Sequence, residues 1–201
     1  MTEVGPTRSG SSPSLTTERL RLVPCAEEHV DRLQAILIEP GVRRYLLDDA
    51  IVSRDWVVDL VASSRRTFEE ERCGLWCLMA SREGDALVGL AGLRRFPGAR
   101  EPQLVYALDP AFWGRGLATE ASQAVIDYTF EELGFAELLA STDPPNAASV
   151  AVMERLGMRF LEAGSASGHR LVFYRIGRAD WARRRPEPPG PGERAAGALT
   201  L

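Results

Sequence analysis

The residues best suited to chemistry form one continuous run, Tyr106-Ala107-Leu108-Asp109-Pro110-Ala111-Phe112-Trp113-Gly114-Arg115-Gly116-Leu117-Ala118-Thr119-Glu120-Ala121. The pattern predicts a strand, a glycine-bearing loop and the start of a helix. Gly114 and Gly116 carry no side chain, so successive backbone N–H groups can turn toward an anion, and the positive end of the following helix adds a favourable field. A ligand carrying a pyrophosphate fits such a loop. Two other readings compete: glycines that only make a tight turn, and a dinucleotide-binding unit with Asp143 on a ribose hydroxyl. Against the dinucleotide unit, Asp109 to Trp113 separate the strand from the glycines, the third small position is Thr119, and Asp143 lies far downstream.

A second group sits beyond the run. Helical spacing puts Asn146, Ser149, Met153 and Leu156 near one face with Val152 beside them, so Ser149 shares a side with core residues. Asn146 could also simply cap that helix, and Ser149 could bond nearby backbone. Glu101 and Gln103, two apart on an extended strand, would share a face, which makes Glu101 a candidate proton acceptor through a water. Beside Arg100 it could equally be a solvated carboxylate. Asp48 and Asp49 could draw in a cationic partner, or form an exposed acidic loop. Cys25, Cys73 and Cys77 are an odd number of cysteines, and a zinc site needs four well-spaced ligands, so buried thiols and no metal are expected.

The elements that must position these residues alternate. A strand is expected at Arg19 to Pro24, then a helix with Val30, Leu33, Ile36 and Leu37 inward, then a helix capped by Ser53 with Trp56, Leu60, Val61 and Phe68 on one side, stopping at Gly74. Leu75 to Ala80 and Ala86 to Leu93 flank the turn Arg82 to Asp85 and predict an antiparallel hairpin, which Gln103 to Leu108 extends. A helix from about Thr119 to Glu132, a strand Glu137 to Ser141, a helix Ala147 to Leu156, and strands Met158 to Ala163 and Arg170 to Ile176 complete a mixed α/β sheet of about seven strands with helices on its faces.

The chain's 201 residues, 45% hydrophobic and 26% charged, suit one globular core. Its 24 basic residues are all Arg, and a net charge of −4 argues against a nucleic-acid-binding protein. No stretch approaches the eighteen apolar residues of a membrane span, and the first sixteen residues lack the apolar region of a secretory signal, so a cytoplasmic location is expected. Both ends are Ser, Gly or Pro-rich: residues 1–16 and 184–201 are expected to be disordered around a domain at 17–183.

Several ordered motifs together resemble the GNAT acetyltransferases, and within them the RimJ/RimL-like branch. They are Thr17-Glu18-Arg19-Leu20-Arg21-Leu22, Val88-Gly89-Leu90-Ala91-Gly92-Leu93, Trp113-Gly114-Arg115-Gly116-Leu117-Ala118-Thr119-Glu120-Ala121, Asn146-Ala147-Ala148-Ser149, Leu156-Gly157-Met158 and Arg178-Ala179-Asp180-Trp181. The superfamily often has Gln or Arg where this chain has Trp113; Trp there is similar to the RimJ/RimL-like branch.

The resemblance implies the GNAT fold, with the sheet splayed between its fourth and fifth strands, Gln103 to Leu108 and Glu137 to Ser141, to admit acetyl-CoA. Backbone at Ala107 and Leu108 would hold the pantetheine and thioester carbonyl. The N–H groups of Trp113, Gly114, Arg115, Gly116, Leu117, Ala118 and Thr119 would take the pyrophosphate, with Asn146 on CoA and Ser149 as donor to its sulfur. Many relatives carry a tyrosine for that donor role where this chain has Met153. Many also carry Glu at the position of Gln103, which leaves Glu101 as the nearest substitute. The acceptor would be a primary amine, of a protein N-terminus or a small molecule, and a homodimer is suggested by analogy. A catalytically weak acetyl-CoA-binding module is the other reading.

Overall fold

The computed structural model describes residues 13–96, 99–166 and 168–184. Eight strands form one sheet: β1 (Leu15–Thr16), β2 (Leu20–Pro24), β3 (Leu75–Ala80), β4 (Ala86–Arg94), β5 (Gln103–Leu108), β6 (Glu137–Thr142), β7 (Arg159–Ala166) and β8 (His169–Gly177), ordered β1-β2-β3-β4-β5-β6-β8-β7. The helices are α1 (Val30–Leu37), α2 (Pro40–Leu46), α3 (Arg54–Glu71), α4 (Leu117–Glu131), α5 (Ala147–Arg155) and α6 (Arg178–Arg184). Neighbouring strands pair antiparallel except β5 and β6, which are parallel and share a single register pair, Gln103 with Leu139. Beyond it they part, as the sequence led us to expect.

Alternation along β5 sends its side chains to two cores. Leu104 and Leu108 join the buried cluster that includes Ala121, Val125 and Ile126 of α4 and Met153 of α5. Ala107 and Val105 join the cluster of Leu33, Ile36 and Leu37 of α1, Val42 of α2, and Val57 and Val61 of α3. Helices α4 and α5 therefore cover one face of the sheet and α1, α2 and α3 the other. Trp76, fully buried, meets Phe68 and Tyr128 edge-on at 4.8 and 5.4 Å and donates its indole N–H to the Pro13 carbonyl at 2.6 Å.

Several boundaries depart from the sequence reading. The segment expected to be disordered through Thr16 contributes β1, because Leu15 and Thr16 pair with Leu22 and Arg21; residues 1–12 lie outside the described residues. At the other end Arg184 belongs to α6, and the remainder of the expected tail, 185–201, is likewise outside them. Helix α2 was not expected at all. Helix α4 starts at Leu117, two residues early, since Gly116 at φ +77° already turns the chain into it. Helix α3 ends not at Gly74 but at Glu71, with Arg72 in the left-handed conformation donating its N–H to Phe68. Its fully buried stripe is Val57, Val61, Ser64 and Phe68, with Trp56 and Leu60 only partly covered.

Candidate active site

The parting of β5 and β6 opens a cleft of about 1520 Å³. Which backbone groups it exposes follows from the register. Asp109 N–H donates to Val88 O at 2.9 Å, and Val88 lies opposite Asp109 in the β4–β5 ladder, so the odd-numbered residues of β5 bond to β4. The even-numbered ones, Tyr106 and Leu108, turn their N–H and C=O toward the gap. This corrects the expectation for Ala107: its backbone faces β4 and its side chain is buried. Only Leu108 of the expected pair presents backbone to the cleft, and Tyr106 joins it.

The loop after β5 is built for an anion. Asp109 accepts from Ala111 N–H to cap a 3-10 turn at Pro110–Phe112, and the chain then passes through Gly114 (φ +73°) and Gly116 (φ +77°). Gly116 is the N-cap of α4 and has no side chain to accept from the first-turn N–H groups, so those donors are available to a ligand. A Cβ on Gly114 would meet nothing, which is the open side of the loop. Trp113, Gly114, Gly116, Leu117, Ala118 and Thr119 all line the cleft. Arg115 does not: its guanidinium is spent on Glu83 (3.4 Å), the Ala111 carbonyl (3.2 Å) and the Phe112 ring, so only its backbone belongs to the loop. Trp113 does more than lend an N–H. Its indole donates to the Leu108 carbonyl at 2.9 Å, and its ring lies so close to Gly41 of α2 that a Cβ there would stand 2.6 Å from it.

A strap from the turn between β1 and β2 secures this loop. Glu120 accepts from Thr17 Oγ1 (2.6 Å), Arg19 N–H (2.8 Å) and Arg19 Nε (2.6 Å), while the Arg19 guanidinium also reaches the Arg115 carbonyl at 2.8 Å. Burial alone would push the Glu120 carboxyl upward, but the hydrogen bonds from Thr17 and Arg19 outweigh it and hold the group below the usual carboxylate range. Because the folded value is depressed, this contribution to stability is present above about pH 4.3 and disappears as pH falls through the lower folded value. We expect Glu120→Gln to flatten the acid limb of a pH series of denaturant unfolding curves, and to weaken acetyl-CoA binding about three- to tenfold by loosening the loop.

On the α5 side, Asn146 caps its helix: its Oδ1 accepts from Ser149 N–H (3.2 Å) and its Nδ2 donates to Thr142 Oγ1 (2.9 Å), leaving one amide hydrogen for a ligand. Ser149 faces the cleft, and its Oγ lies 2.7 Å from the Tyr106 hydroxyl, which also reaches the Ser149 carbonyl at 3.1 Å. Burial, only partly offset by Ser149, pushes the Tyr106 phenol up to about 12. Met153 is fully buried and polar chemistry is not open to it.

On the opposite face, β5 and β6 present Gln103 and Ser141, whose hydroxyl donates to Gln103 Oε1 at 3.1 Å. Glu101 is not brought here. It is exposed and does not line the cleft, because β5 begins at Gln103 after Pro102 and the two-residue alternation does not extend back to it. The far mouth of the cleft is bridged by Asp48, in the loop after α2, and His169 of β8, 3.3 Å apart. Cys77 contacts Cys25 (3.2 Å) rather than Cys73, and among the described residues no group of three or more His, Cys, Asp or Glu is placed to hold a metal ion.

A family model described as an acetyltransferase (GNAT) domain matches residues 19–159, from the strap just before β2 to the start of β7. The chain belongs to the GNAT acetyltransferases. Among its relatives is FsC-acetyl coenzyme A-N(2)-transacetylase of Aspergillus fumigatus, 31% identical over 86% of this chain and 80% of that one. Among solved structures, an acetyltransferase from Agrobacterium tumefaciens superposes with a TM-score of 0.74 at 24% identity, covering 85% of this chain and 98% of that one. RimL, a ribosomal L7/L12 alpha-N-protein acetyltransferase solved with coenzyme A, superposes with a TM-score of 0.70 at 16% identity, covering 82% and 98%. At those identities the solved structures speak for the fold, an open, mostly antiparallel GNAT sheet. As a GNAT enzyme the protein is an acetyl-CoA-dependent N-acetyltransferase. No helix among the described residues is long and apolar enough to cross a membrane.

The residues present fit acetyl-CoA. An uncapped helix start with two positive-φ glycines suits the pyrophosphate, and a strand edge without a partner suits an amide-bearing arm running alongside it. Tyr106, the Thr17–Arg19–Glu120 strap and the Trp113–Gly41 contact were not assigned roles from sequence. Period-two alternation placed Tyr106 with Leu104 and Leu108, and that was the available signal.

Proposed function

We propose that this protein acetylates a primary amine of low basicity in the cytoplasm, an α-amine of a protein N-terminus or an amine of comparable pKa on a small molecule. The observation that carries this reading is the neutral side chain of Gln103, between β5 and β6, where the acceptor would meet the thioester. Gln103 is buried and hydrogen-bonded by Ser141 at the position where the family resemblance implies a glutamate in many relatives, and Glu101, the nearest acid along that segment, is exposed and outside the cleft. An α-amine with pKa of about 8 is roughly a tenth neutral at pH 7, whereas a lysine amine near 10.4 is neutral in about one molecule in a few thousand. A site without a strong base suits the first. RimL is described as an alpha-N-protein acetyltransferase, which fits an α-amine acceptor, and the A. fumigatus relative is described as an N(2)-transacetylase.

In this mechanism the acyl thioester supplies the activated acetyl group. The first-turn N–H groups of α4 hold the pyrophosphate, and the open edge of β5 at Tyr106 and Leu108 aligns the arm. The amine attacks directly, and Ser149 stabilises charge on the departing sulfur. Glu101, outside the cleft, takes no part. We expect Ser149→Ala to lower kcat about ten- to thirtyfold with KM for acetyl-CoA nearly unchanged, since a thiol of pKa about 8.5 leaves easily and loses only about 1–2 kcal/mol of help. The direct test is free CoA release with a panel of N-terminal peptides, free amino acids and polyamines. Turnover favouring α-amines over lysine side-chain amines supports the reading. Binding of acetyl-CoA without any amine-dependent release would instead make the protein an acetyl-CoA-binding module.

A further inference from the structure

The hydrogen bonds at Ser149 assign Tyr106 a part in the reaction. We infer that Tyr106 is a positioning residue whose hydroxyl donates to Ser149 Oγ and thereby turns the serine's own O–H into the cleft, toward the sulfur that leaves. The inference rests on the acetyl-CoA reading above and deepens it.

The geometry has two proton arrangements. The Tyr106 oxygen lies 2.7 Å from Ser149 Oγ and 3.1 Å from the Ser149 carbonyl, and it carries one proton. With that proton on the carbonyl, the serine hydroxyl satisfies itself on the tyrosine oxygen and offers nothing to the cleft. With it on Oγ, the serine proton is released to point outward. Negative charge growing in the cleft favours the second arrangement, because each hydroxyl then donates toward the charge. The two residues come from different elements, β5 and α5, 43 positions apart. The buried Met153 shows that the helix itself supplies no phenol from that neighbouring turn.

The chain of hydroxyls stabilises charge without giving up a proton. The carbonyl carbon–sulfur bond breaks, sulfur keeps the electron pair, the amine nitrogen takes its place on the acyl carbon and releases its own proton to water. A thiol of ordinary pKa about 8.5 is the stronger acid by more than three units against a phenol at about 12, so the tyrosine keeps its proton and CoA leaves as the thiolate.

The test needs no acceptor. CoA itself is bound to the full-length protein, and its thiol is titrated by thiolate ultraviolet absorbance, as the difference from protein without CoA. The charged residues that line the cleft, Glu18, Arg19, Asp48, Glu120, Asp127, Asp143, Arg155 and His169, are the same in every variant compared. Donors aimed at sulfur should lower the bound thiol's pKa by about one unit relative to free CoA. Tyr106→Phe, which keeps the ring and removes only the hydroxyl, should return part of that shift, Ser149→Ala all of it, and Tyr106→Phe should add nothing to Ser149→Ala. A bound thiol that titrates like free CoA in the parent protein, or an unchanged titration in Tyr106→Phe, overturns the inference. Failure of CoA to bind at all would instead remove the acetyl-CoA reading on which it stands.

Discussion

Replacing Gly116 by valine should weaken acetyl-CoA binding about a hundredfold. The residue holds φ at +77° and forms the N-cap of α4. A β-branched side chain is strongly disfavoured in that region, so the loop must either keep its shape under strain of about 1–3 kcal/mol or relax and swing the α4 first-turn N–H groups away from the anion. Hydrogen bonds to a charged group are worth about 1.5–3 kcal/mol each, so losing one strong bond, or weakening two, supplies the roughly 2.8 kcal/mol of a hundredfold change. Calorimetric titration with acetyl-CoA, paired with thermal unfolding, separates the outcomes. Parent-like affinity in a destabilised protein would mean either that the loop keeps its shape under strain or that the anion is held elsewhere, and the hundredfold expectation would fail. NAD serves as the control ligand, since binding of NAD in place of acetyl-CoA would revive the dinucleotide reading of the same glycines.

The largest effect on stability is expected at Trp76→Ala. The side chain is fully buried, makes edge contacts with Phe68 of α3 and Tyr128 of α4, and holds the Pro13 carbonyl just before β1. Truncating a buried tryptophan costs about 3–5 kcal/mol, which in a domain of this size lowers the melting temperature by roughly 10 °C. Trp76→Phe, which keeps an aromatic ring but loses the indole donor, should lose much less. Equal losses in the two variants would place most of the energy in the hydrogen bond to Pro13 rather than in the packing.

The sheet was legible in the sequence because its strands are short apolar runs bounded by turn residues. The β3–β4 hairpin follows from the Arg82–Asp85 turn, where Gly84 and Asp85 both take positive φ. The loop was legible too, since Gly114 and Gly116 have no role in a strand or a helix interior. Helix α2 was not, because its seven residues begin with Pro40-Gly41, which reads as a break, and bury only Val42, too few to show a period. Glu101 was misplaced by carrying strand alternation one residue past Pro102. The Tyr106–Ser149 and Arg19–Glu120 pairs lie 43 and 101 positions apart, and no local pattern encodes a contact across such a span. They depend on how β5 meets α5 and how the β1–β2 turn meets α4, which is tertiary information.

The place where Trp113 rests on Gly41 has a further consequence. One end of that indole is fastened to β5 beside the pyrophosphate loop, and the other leans on the helix whose neighbouring residues, Tyr45 and Leu46, line the cleft. Any shift of the loop on taking up an anion is thus passed to the α2 wall of the cleft, which in the function proposed above is open to the amine. Thermodynamic linkage makes that traffic two-way: whatever factor acetyl-CoA imposes on amine affinity, the amine imposes on acetyl-CoA. A methyl group at position 41 would press on the ring, and whatever it does to this coupling must appear as the same factor in both affinities, whichever substrate binds first.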